Sequence, residues 1–548
     1  MSIRTNPFKA VATLLKHLVR VEKEAKLNDL KSELNKIKDL FLKVKDNEEE
    51  LLDTLAVVDG YIRNKNIRKL REEEGHFCQK IRNSTRKLLP AADAEAVGSS
   101  GQASQDVKLP QRPELNTPLP SSTPQLEKDL QMIKDYYSNL DLFDRRWFSS
   151  LLQFPENAVL KRREIIFWSF SLQWGVTGDL GSYFWNAEKR LDSLLESKLF
   201  VPHGNGKSPI VSKFKINPLV HHKSLSPLFQ NEEEQLCGYY SQIMTSSSSH
   251  GSDIGYLNFG PGWMAKMKDL RVLQLGRWMQ DSPKHHIEVE SEEFLKELSG
   301  HKNLSCLSLR GISRIFELPP SIVKIRSLKI LDLKACHNLE TLPSDISSLR
   351  NLVQLNLSQC YLLDKMPKGI ENLIWLKVLK GFVLGSSSKT PCRISDIAAK
   401  LERLKRLSIR IGSGAVIQGE FESLRKLSKL EHLKISWGVF DTRYIDIQIS
   451  VPSSLKKLHL EGFPGQNIPE WLKPSKLPQE LQLTQLHITG GKLKSLDHDN
   501  YRSVEIVYLK YLKHLDVDLE HLRKLFPSLR YVEIKQILNQ SYLEWSIN

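Results

Sequence analysis

A few groups of residues in this sequence have types that could support catalysis or ligand binding. The segment GNGKS at 204–208 ends like a phosphate-binding loop, in which backbone N–H groups and a lysine hold phosphate oxygens. That loop requires a glycine five residues before its second glycine, where Val201 stands, and a helix immediately after it. Pro209 and a β-like run follow instead, so we interpret the segment as the tip of a β-hairpin without a nucleotide site.

Other candidate groups lack the partners that their chemistry requires. The histidine pairs at 221–222 and 285–286 have no carboxylate or cysteine at metal-ligand spacing, and none of the six cysteines forms a CxxC pair. The carboxylates at 72–74 lie in a helical charge run, which is typical of a solvated face. The sequence contains no nucleophile elbow, zinc-protease helix or kinase signature. It therefore predicts a protein that is not an enzyme and needs no cofactor or metal.

The composition favours a protein that binds anionic partners. The chain has 548 residues, a formal net charge of +15 and 40% hydrophobic residues, which is enough for several packed cores. A basic balance favours acidic protein surfaces, membrane headgroups or nucleic acid, although solvated lysines on long repeats would produce the same excess. Because we recognise no run of 18 apolar residues and no signal peptide, we expect a cytoplasmic location.

The strongest pattern in the chain is LxxLxL, which recurs every 24 residues from Leu304, Leu328, Leu352 and Leu376. Further copies are predicted from Leu270, Leu404, Leu430, Leu455, Leu483 and Leu512, with a short terminal unit at Leu529. Each copy predicts a short strand whose leucines point inward while the residues between them face outward. One repeat cannot bury its leucines alone, so neighbours must stack into a solenoid with a parallel sheet.

Cysteine and proline positions support the same interpretation. Cys336 and Cys360 stand where such repeats place a small polar side chain that bonds the turn backbone. The segments LPPSI at 318–322, LPSDI at 342–346 and MPKGI at 366–370 place a proline where the chain returns along the convex side.

Outward-facing strand positions form a mostly basic stripe, which Asp332 and Asp516 interrupt. A concave basic sheet would suit an acidic protein ligand, and simple solvation of the lysines is the competing interpretation. Trp437 and Phe382, near the stripe, are candidate contact anchors or packing residues. The predicted protein-binding residues are Arg310, Lys334, Lys380, Arg406, Arg410, Lys434, Trp437, Lys457 and His459.

Residues 1–90 predict a helical bundle or coiled-coil domain, because apolar residues recur at helical spacing in three successive runs. The first helix is basic and amphipathic, and we favour docking within the bundle over peripheral contact with the plasma membrane. Residues 91–124 are rich in Ala, Gly, Ser and Pro and predict a flexible linker.

Residues 125–235 predict a winged-helix-like domain, because two helical runs precede strand-like segments at 199–202 and 210–216. A connector at 236–262 leads to the solenoid at 263–548. The predicted fold class is therefore α+β multidomain, with an N-terminal helical bundle, a degenerate winged-helix domain and a C-terminal leucine-rich-repeat α/β solenoid.

The segment FPE at 154–156, the basic run at 161–163, Ile166 and Trp168 resemble the winged-helix subdomain of plant nucleotide-binding leucine-rich-repeat immune receptors. The LPPSI and LPSDI repeats look like those of the same family, and the order of bundle, winged helix and repeats is similar to its coiled-coil class. The resemblance implies an immune-type interaction protein that binds other proteins.

Two departures from the family's pattern indicate a truncated form. The family's nucleotide-binding core should stand between the bundle and the winged helix, where only the linker is found. The family's Met-His-Asp motif corresponds to Ile216-Asn217-Pro218, and Pro218 has no carboxylate to sense a nucleotide. The resemblance therefore does not imply an ATP/ADP switch.

The leading hypothesis is a non-catalytic, immune-receptor-like protein of plant defence. The solenoid would recognise a pathogen effector or a guarded host protein, and the bundle would bind signalling partners such as a full-length receptor. A general leucine-rich-repeat scaffold is the first alternative, and a winged-helix nucleic-acid-binding protein is the second. We expect no nucleic acid, because the candidate recognition helix at 161–170 is rich in Ile, Phe and Trp.

Overall fold

The computed structural model divides into two compact units, residues 1–123 and residues 124–548, each of which is described by itself. The segments 204–208 and 154–156, Trp168, the linker up to 123 and most of the first predicted helix lie outside the described residues. The described residues are 14, 18, 27–37, 54–55, 57–58, 61, 67–88, 124–152, 159–162, 165–166, 169, 180–197, 199–203, 213–221, 225, 254–257, 262, 270–275, 286–289, 292–313, 315–363, 365–385, 392–412, 415, 419–437, 442–496, 500–535 and 542–546.

The first unit contains helices α1 (Asn28–Ile37), α2 (Ile67–Glu72) and α3 (Glu74–Leu88). Helices α1 and α3 pack together, and both bury leucine, isoleucine or phenylalanine side chains. Glu33 of α1 is 2% exposed, and its carboxylate forms an ion pair with Arg82 of α3 at 2.9 Å. These helices agree with the predicted helical content, while the bundle as a whole stays a prediction.

The second unit begins with a segment that we name the middle domain, residues 124–225. Its helices and strands are α4 (Pro124–Asn139), α5 (Leu142–Leu151), β1 (Leu160–Lys161), α6 (Leu180–Glu196), β2 (Phe200–Pro202) and β3 (Lys213–Ile216). The strands form an antiparallel sheet in the order β1-β3-β2. Arg190 joins α6 to the start of α5 through ion pairs with Asp141 at 2.5 Å and Asp144 at 2.9 Å.

Most of the second unit is a long sheet of twelve described strands. All neighbouring pairs are parallel except the last pair, β17 and β18, which is antiparallel. The strand order is β18-β17-β16-β15-β14-β13-β12-β11-β10-β9-β7-β5. These strands are β5 (Val272–Gln274), β7 (Cys306–Ser308), β9 (Ile330–Asp332), β10 (Gln354–Asn356), β11 (Val378–Leu384), β12 (Arg406–Ile411), β13 (His432–Trp437), β14 (Lys457–Phe463), β15 (Gln485–Gly491), β16 (Ile506–Lys510), β17 (Tyr531–Lys535) and β18 (Tyr542–Ser546).

A second, short parallel sheet has the order β4-β6-β8. Its strands are β4 (Ile254–Leu257), β6 (His286–Val289) and β8 (Ile312–Ser313). Strand β4 lies inside the predicted connector at 236–262, so regular pairing begins earlier in the chain than the sequence prediction placed it.

The leucines of the LxxLxL repeats form one continuous core behind the long sheet. Leu307, Leu331, Leu355 and Leu379 each have no exposed surface, which confirms the inward direction of the pattern. Short helices and 3₁₀ turns close the repeats on the return side. These segments are α7 (Phe294–Glu297), α8 (Ile394–Lys400), α9 (Leu519–Leu525), Leu298–Gly300, Pro320–Lys324, Ile346–Ser348, Ile370–Asn372, Phe421–Lys426, Thr442–Tyr444, Glu470–Leu472 and Pro474–Lys476.

Cys336 and Cys360 hold the turns between repeats. The thiol of Cys336 donates to the carbonyl oxygen of Leu309 at 3.1 Å, and the thiol of Cys360 donates to that of Leu333 at 3.0 Å. Burial raises the pKa of the Cys360 thiol to about 12, so it stays a neutral donor. The predicted structural role of both cysteines agrees with these contacts.

The predicted repeat from Leu512 is wrong. Leu512 and Leu515 follow strand β16 in a turn, and Asp516 lies in the same connection before α9 rather than on a strand. The real repeat runs through β16, where Val504 and Val507 replace the leucines of the pattern and are buried in their place. The final strand β18 was not predicted.

Strand β11 contains a bulge that changes the direction of its later side chains. The register with β12 shifts between Lys380 and Phe382, and Gly381 at the shift has a φ of 79°. A Cβ on Gly381 would lie 2.4 Å from the carbonyl carbon and oxygen of Leu357, so only glycine fits this close approach.

The middle domain shares a hydrophobic core with the first strands of the long sheet. Trp147, Phe148, Phe200 and Phe214 of the middle domain are fully or almost fully buried in this core. Its members from the repeats are Val272, Cys306, Ile330, Val353 and Val378. The early strands of the sheet therefore have apolar cores on both faces. No helix among the described residues is long and apolar enough to cross a membrane.

A basic cavity on the outer face of the long sheet

The face of the long sheet opposite the leucine core is here named the outer sheet face. Strand register aligns one residue of each strand in a row that we call the first row. Its members, in order, are Val272, Cys306, Ile330, Gln354, Val378, Arg406, His432, Lys457, Gln485, Ile506 and Tyr531. The row is mostly apolar up to Val378 and becomes polar and basic from Arg406 to Gln485.

A cavity of about 640 Å³ lies between the outer sheet face and the middle domain, and we name it the basic cavity. Lys161, Arg162 and Lys213 line it from the middle domain. Eight of the nine predicted binding residues line it from the sheet: Arg310, Lys334, Lys380, Arg406, Arg410, Lys434, Lys457 and His459. The structure thus brings the predicted basic stripe together, while the role of these residues in binding stays a prediction.

An ion pair with Asp332 fixes the Arg310 guanidinium, which lines the cavity. Its Nη2 and Nε donate to Asp332 Oδ2 at 2.6 and 3.1 Å. The other oxygen, Asp332 Oδ1, accepts from the backbone N–H of Lys334 at 3.0 Å and from Asn356 Nδ2 at 2.9 Å. Asp332 therefore orients Arg310 instead of simply interrupting the basic stripe.

The Arg410 guanidinium is held by backbone carbonyl groups. It donates to the carbonyl oxygens of Cys360 at 3.1 Å, Tyr361 at 3.2 Å and Leu363 at 2.5 Å. Burial lowers the pKa of Arg410 from its usual value, but a guanidinium titrates so high that it keeps its charge at neutral pH. Arg410 thus contributes both a structural clamp and a fixed positive charge.

Glu461 is one of two glutamates among the residues that line the cavity. Its carboxylate lies 3.1 Å from Lys434 Nζ and accepts from Ser436 Oγ at 2.7 Å. Burial acts to raise the pKa of Glu461, but Lys434 and Ser436 outweigh it and lower the pKa to about 2. The carboxylate is therefore charged and neutralises part of one lysine.

Rings stack across strands β14 to β16 to form what we call the aromatic ladder, His459, His487 and Tyr508. Ring centroids lie 5.6 Å apart between His459 and His487, and 4.1 Å apart between His487 and Tyr508. Burial, followed by Lys434, lowers the pKa of His459 to about 3, and burial with Lys457 lowers the pKa of His487 well below its usual range. Both imidazoles are neutral at physiological pH, so the charge of the cavity comes from lysine and arginine.

The prediction that Trp437 lies on the binding face is wrong. Trp437 is 5% exposed and packs edge-on against Phe463 in the leucine core, with ring centroids 5.1 Å apart. The period-two alternation of strand β13 already indicates this, because Leu433 and Ile435 also point inward. Phe382 is likewise fully buried, because the bulge at Gly381 turns it into the core.

Sequence reasoning missed the contribution of the middle domain and the aromatic ladder. Lys161, Arg162 and Lys213 reach the cavity only through tertiary packing, which no local pattern encodes. His487 and Tyr508 could have been found, because register with His459 places them in one row. Among the described residues, no group of three histidine, cysteine or carboxylate side chains could hold a metal ion.

Stacked parallel strands with inward leucines at a fixed repeat define a leucine-rich-repeat protein. The profile of the family described as "Leucine-rich repeat region" matches residues 262–541, just over half of the sequence, and the chain belongs to that family.

Disease resistance RPP13-like protein 4 of Arabidopsis thaliana is a relative that is 32% identical over 277 residues. The match covers 48% of this chain and 31% of that relative, so the chain spans about a third of the relative's length.

Two solved structures also align with about half of this chain. The plant peptide hormone receptor RGFR1 in complex with RGF2 is 17% identical, with a TM-score of 0.28, over 51% of this chain and 41% of that chain. The ectodomain of the receptor kinase GASSHO1/SCHENGEN3 from Arabidopsis thaliana, in complex with CASPARIAN STRIP INTEGRITY FACTOR 2, is 15% identical, with a TM-score of 0.26, over 51% and 40%.

Proposed function

We propose that this chain is a non-catalytic, immune-receptor-like protein that recognises protein ligands in plant defence. One observation carries the proposal: basic and aromatic residues lie on the outer sheet face of the later strands, in a chain that is 32% identical over 277 residues to a plant disease resistance protein. The leucines of each repeat are used in the core, so the outer positions are left for recognition.

The protein ligand is proposed to dock on the aromatic ladder and its basic neighbours. Tyr508 is half-buried and lies 5.6 Å from the Tyr531 ring, and Lys510 lies over it at 5.0 Å. Tyrosine is enriched at interfaces, because it combines a large apolar ring with a polar tip.

The other modules are proposed to act as in the resembling receptors. Three helices with the antiparallel sheet β1-β3-β2, in which α6 lies between β1 and β2 in the chain, support a degenerate winged-helix domain. The helices of the first unit support a coiled-coil bundle that contacts signalling partners. We further propose a cytoplasmic location, with the first helix docked within the bundle. The nucleotide-binding core is proposed to be missing, so the chain is a truncated form.

The test compares protein capture by three forms of the full chain from infected plant tissue. The ladder variant is Tyr508→Ala with His487→Ala, and the control is Arg425→Ala with Lys429→Ala, on exposed positions of a return turn. We expect at least one protein that the wild type and the control capture and the ladder variant loses. If the ladder variant captures the same proteins as the wild type, recognition by the outer sheet face is wrong.

A further inference from the structure

We propose that the basic cavity binds a compact, soluble, multiply phosphorylated small molecule. The cavity lies between the middle domain and the outer sheet face, and its volume of about 640 Å³ lies within the usual range for small-molecule sites. A folded protein domain is far larger than this space, so the cavity ligand is distinct from the protein ligand proposed for the aromatic ladder.

The charge of the lining residues selects an anion. Among the 26 residues that line the cavity, ten are lysine or arginine and two, Glu188 and Glu461, are glutamate. Two of the guanidinium groups are also held by carboxylates: Asp332 pairs with Arg310, and Asp192 pairs with Arg162 at 2.5 Å. Cations thus outnumber carboxylates among the side chains that line the cavity.

Gathering like charges in one cavity costs Coulomb energy, because the surrounding protein screens them less than water does. The cost is visible at His459, whose pKa is lowered by burial and then by Lys434, Lys457 and Lys510, against the opposing effect of Glu461. A cost that the fold does not need is typical of a functional site. A bound polyanion would offset it.

The guanidinium groups are oriented before any ligand arrives. Arg310 is fixed by Asp332, Arg162 by Asp192, and Arg410 by three backbone carbonyl groups. Fixed guanidinium groups lose little freedom when a ligand binds, and each holds a positive charge at a set place on the cavity wall. Lysines such as Lys380 and Lys457 add point charges along the same face.

Phosphate fits this arrangement better than carboxylate. A phosphate ester carries up to two charges on one small group, whereas each carboxylate carries one. Neutralising several cations within about 640 Å³ therefore favours clustered phosphates over an acidic peptide, whose charges are spread along an extended chain.

The test is calorimetric titration of the full chain with inorganic tripolyphosphate at physiological ionic strength. We expect one saturable site, and Arg406→Ala with Lys457→Ala should weaken it about tenfold or more, because two charged contacts are lost. Arg425→Ala with Lys429→Ala removes the same charge outside the cavity and should leave the affinity within about twofold. Absence of saturable binding, or equal weakening by both variants, would overturn the proposal.

Three further ligands distinguish the sources of negative charge. Citrate and a hexaglutamate peptide should bind at least about tenfold more weakly than tripolyphosphate. Hexaglutamate binding that equals tripolyphosphate binding would assign the cavity to an acidic peptide. Co-sedimentation with vesicles that contain phosphatidylinositol bisphosphate, if it is lost in the cavity variant, would assign the cavity to a lipid headgroup. Either of these last two results would overturn the proposal.

If the cavity variant does not fold, a measurement on the wild type alone still tests the proposal. Hydrogen exchange of the full chain should slow in strands β11 to β14 when tripolyphosphate is added, and β15 to β17 should change less. Uniform slowing across the chain, or none, would overturn the cavity assignment. Because this readout uses no protein partner, its result does not test the proposed recognition of a protein ligand.

Discussion

The early and late strands of the long sheet share one inner face and differ on the outer one. From β5 to β11 the first row carries four residues of the core shared with the middle domain, Val272, Cys306, Ile330 and Val378, with Gln354 of β10 as the exception. From β12 to β15 the same row carries Arg406, His432, Lys457 and Gln485, which line the basic cavity. The inner face is apolar throughout, so the outer positions decide whether a region of the sheet packs against the middle domain or lines the cavity.

The largest expected loss of stability should be similar in the early and the late strands. Leu355→Ala in β10 and Leu433→Ala in β13 each remove a side chain that is almost fully buried in the leucine core. We expect each to lower the free energy of unfolding by about 2–5 kcal/mol, because a cavity replaces buried methyl groups. Urea unfolding followed by circular dichroism gives the values. If only one variant is destabilised, the inner face is not uniform as described.

Removal of the buried Asp332 carboxylate should lower the free energy of unfolding more than removal of a more exposed carboxylate beside the same sheet. Asp332→Ala leaves the Arg310 guanidinium, whose side chain is only 12% exposed, without its ion pair. We expect a loss of about 3 kcal/mol in unfolding free energy. Glu431→Ala is the control, because its pairs with Lys405 and Lys456 span 3.7 and 3.9 Å at the surface and should contribute about 0.5 kcal/mol or less. Equal losses would contradict the assigned role of Asp332.

Substitutions in the apolar part of the first row should lower stability more than substitutions in its basic part. Ile330→Ala removes an almost fully buried side chain from the core shared with the middle domain and should lower the free energy of unfolding by about 2 kcal/mol. Lys457→Ala, in the same row, removes one of several like charges and should change stability by about 0.5 kcal/mol or less. Limited proteolysis should also cleave the middle domain faster in Ile330→Ala. A larger loss in Lys457→Ala would reverse the comparison.

A pH dependence of stability should belong to the late strands. The pKa of His459 is lowered from 6.5 to about 3, so between these values the unfolded chain binds a proton that the folded chain does not. Stability should therefore fall as the pH is lowered from about 6.5 towards 3. The carboxylate of Glu461, whose pKa is lowered from 4.5 to about 2, adds a loss only below about 4.5.

Unfolding of His459→Gln between pH 4.5 and 6.5 isolates the histidine contribution. The variant should show a flatter decline in this range, since its amide does not titrate. His514→Gln, in which the replaced imidazole is exposed in the turn after β16, serves as the control. An unchanged slope in His459→Gln would show that other groups produce the pH dependence.

The sequence predicts the inner face of the long sheet well and the outer face only in part. Leucine spacing gives strand positions directly, because inward direction and burial follow from period-two geometry. It fails at β16, where Val504 and Val507 replace leucine, and at Phe382, where the bulge at Gly381 reverses the alternation. The middle domain's lysines reach the cavity through packing between distant segments, which depends on the whole fold.

Strand β18 changes what the end of the long sheet can do. It pairs with β17 from Tyr531↔Ser546 to Lys535↔Tyr542 in the reversed direction. The backbone donors and acceptors along this side of β17 are therefore already used, and the edge at this end of the sheet belongs to the antiparallel β18. A partner strand that extended the sheet at this end would have to pair with β18 instead of a repeat strand.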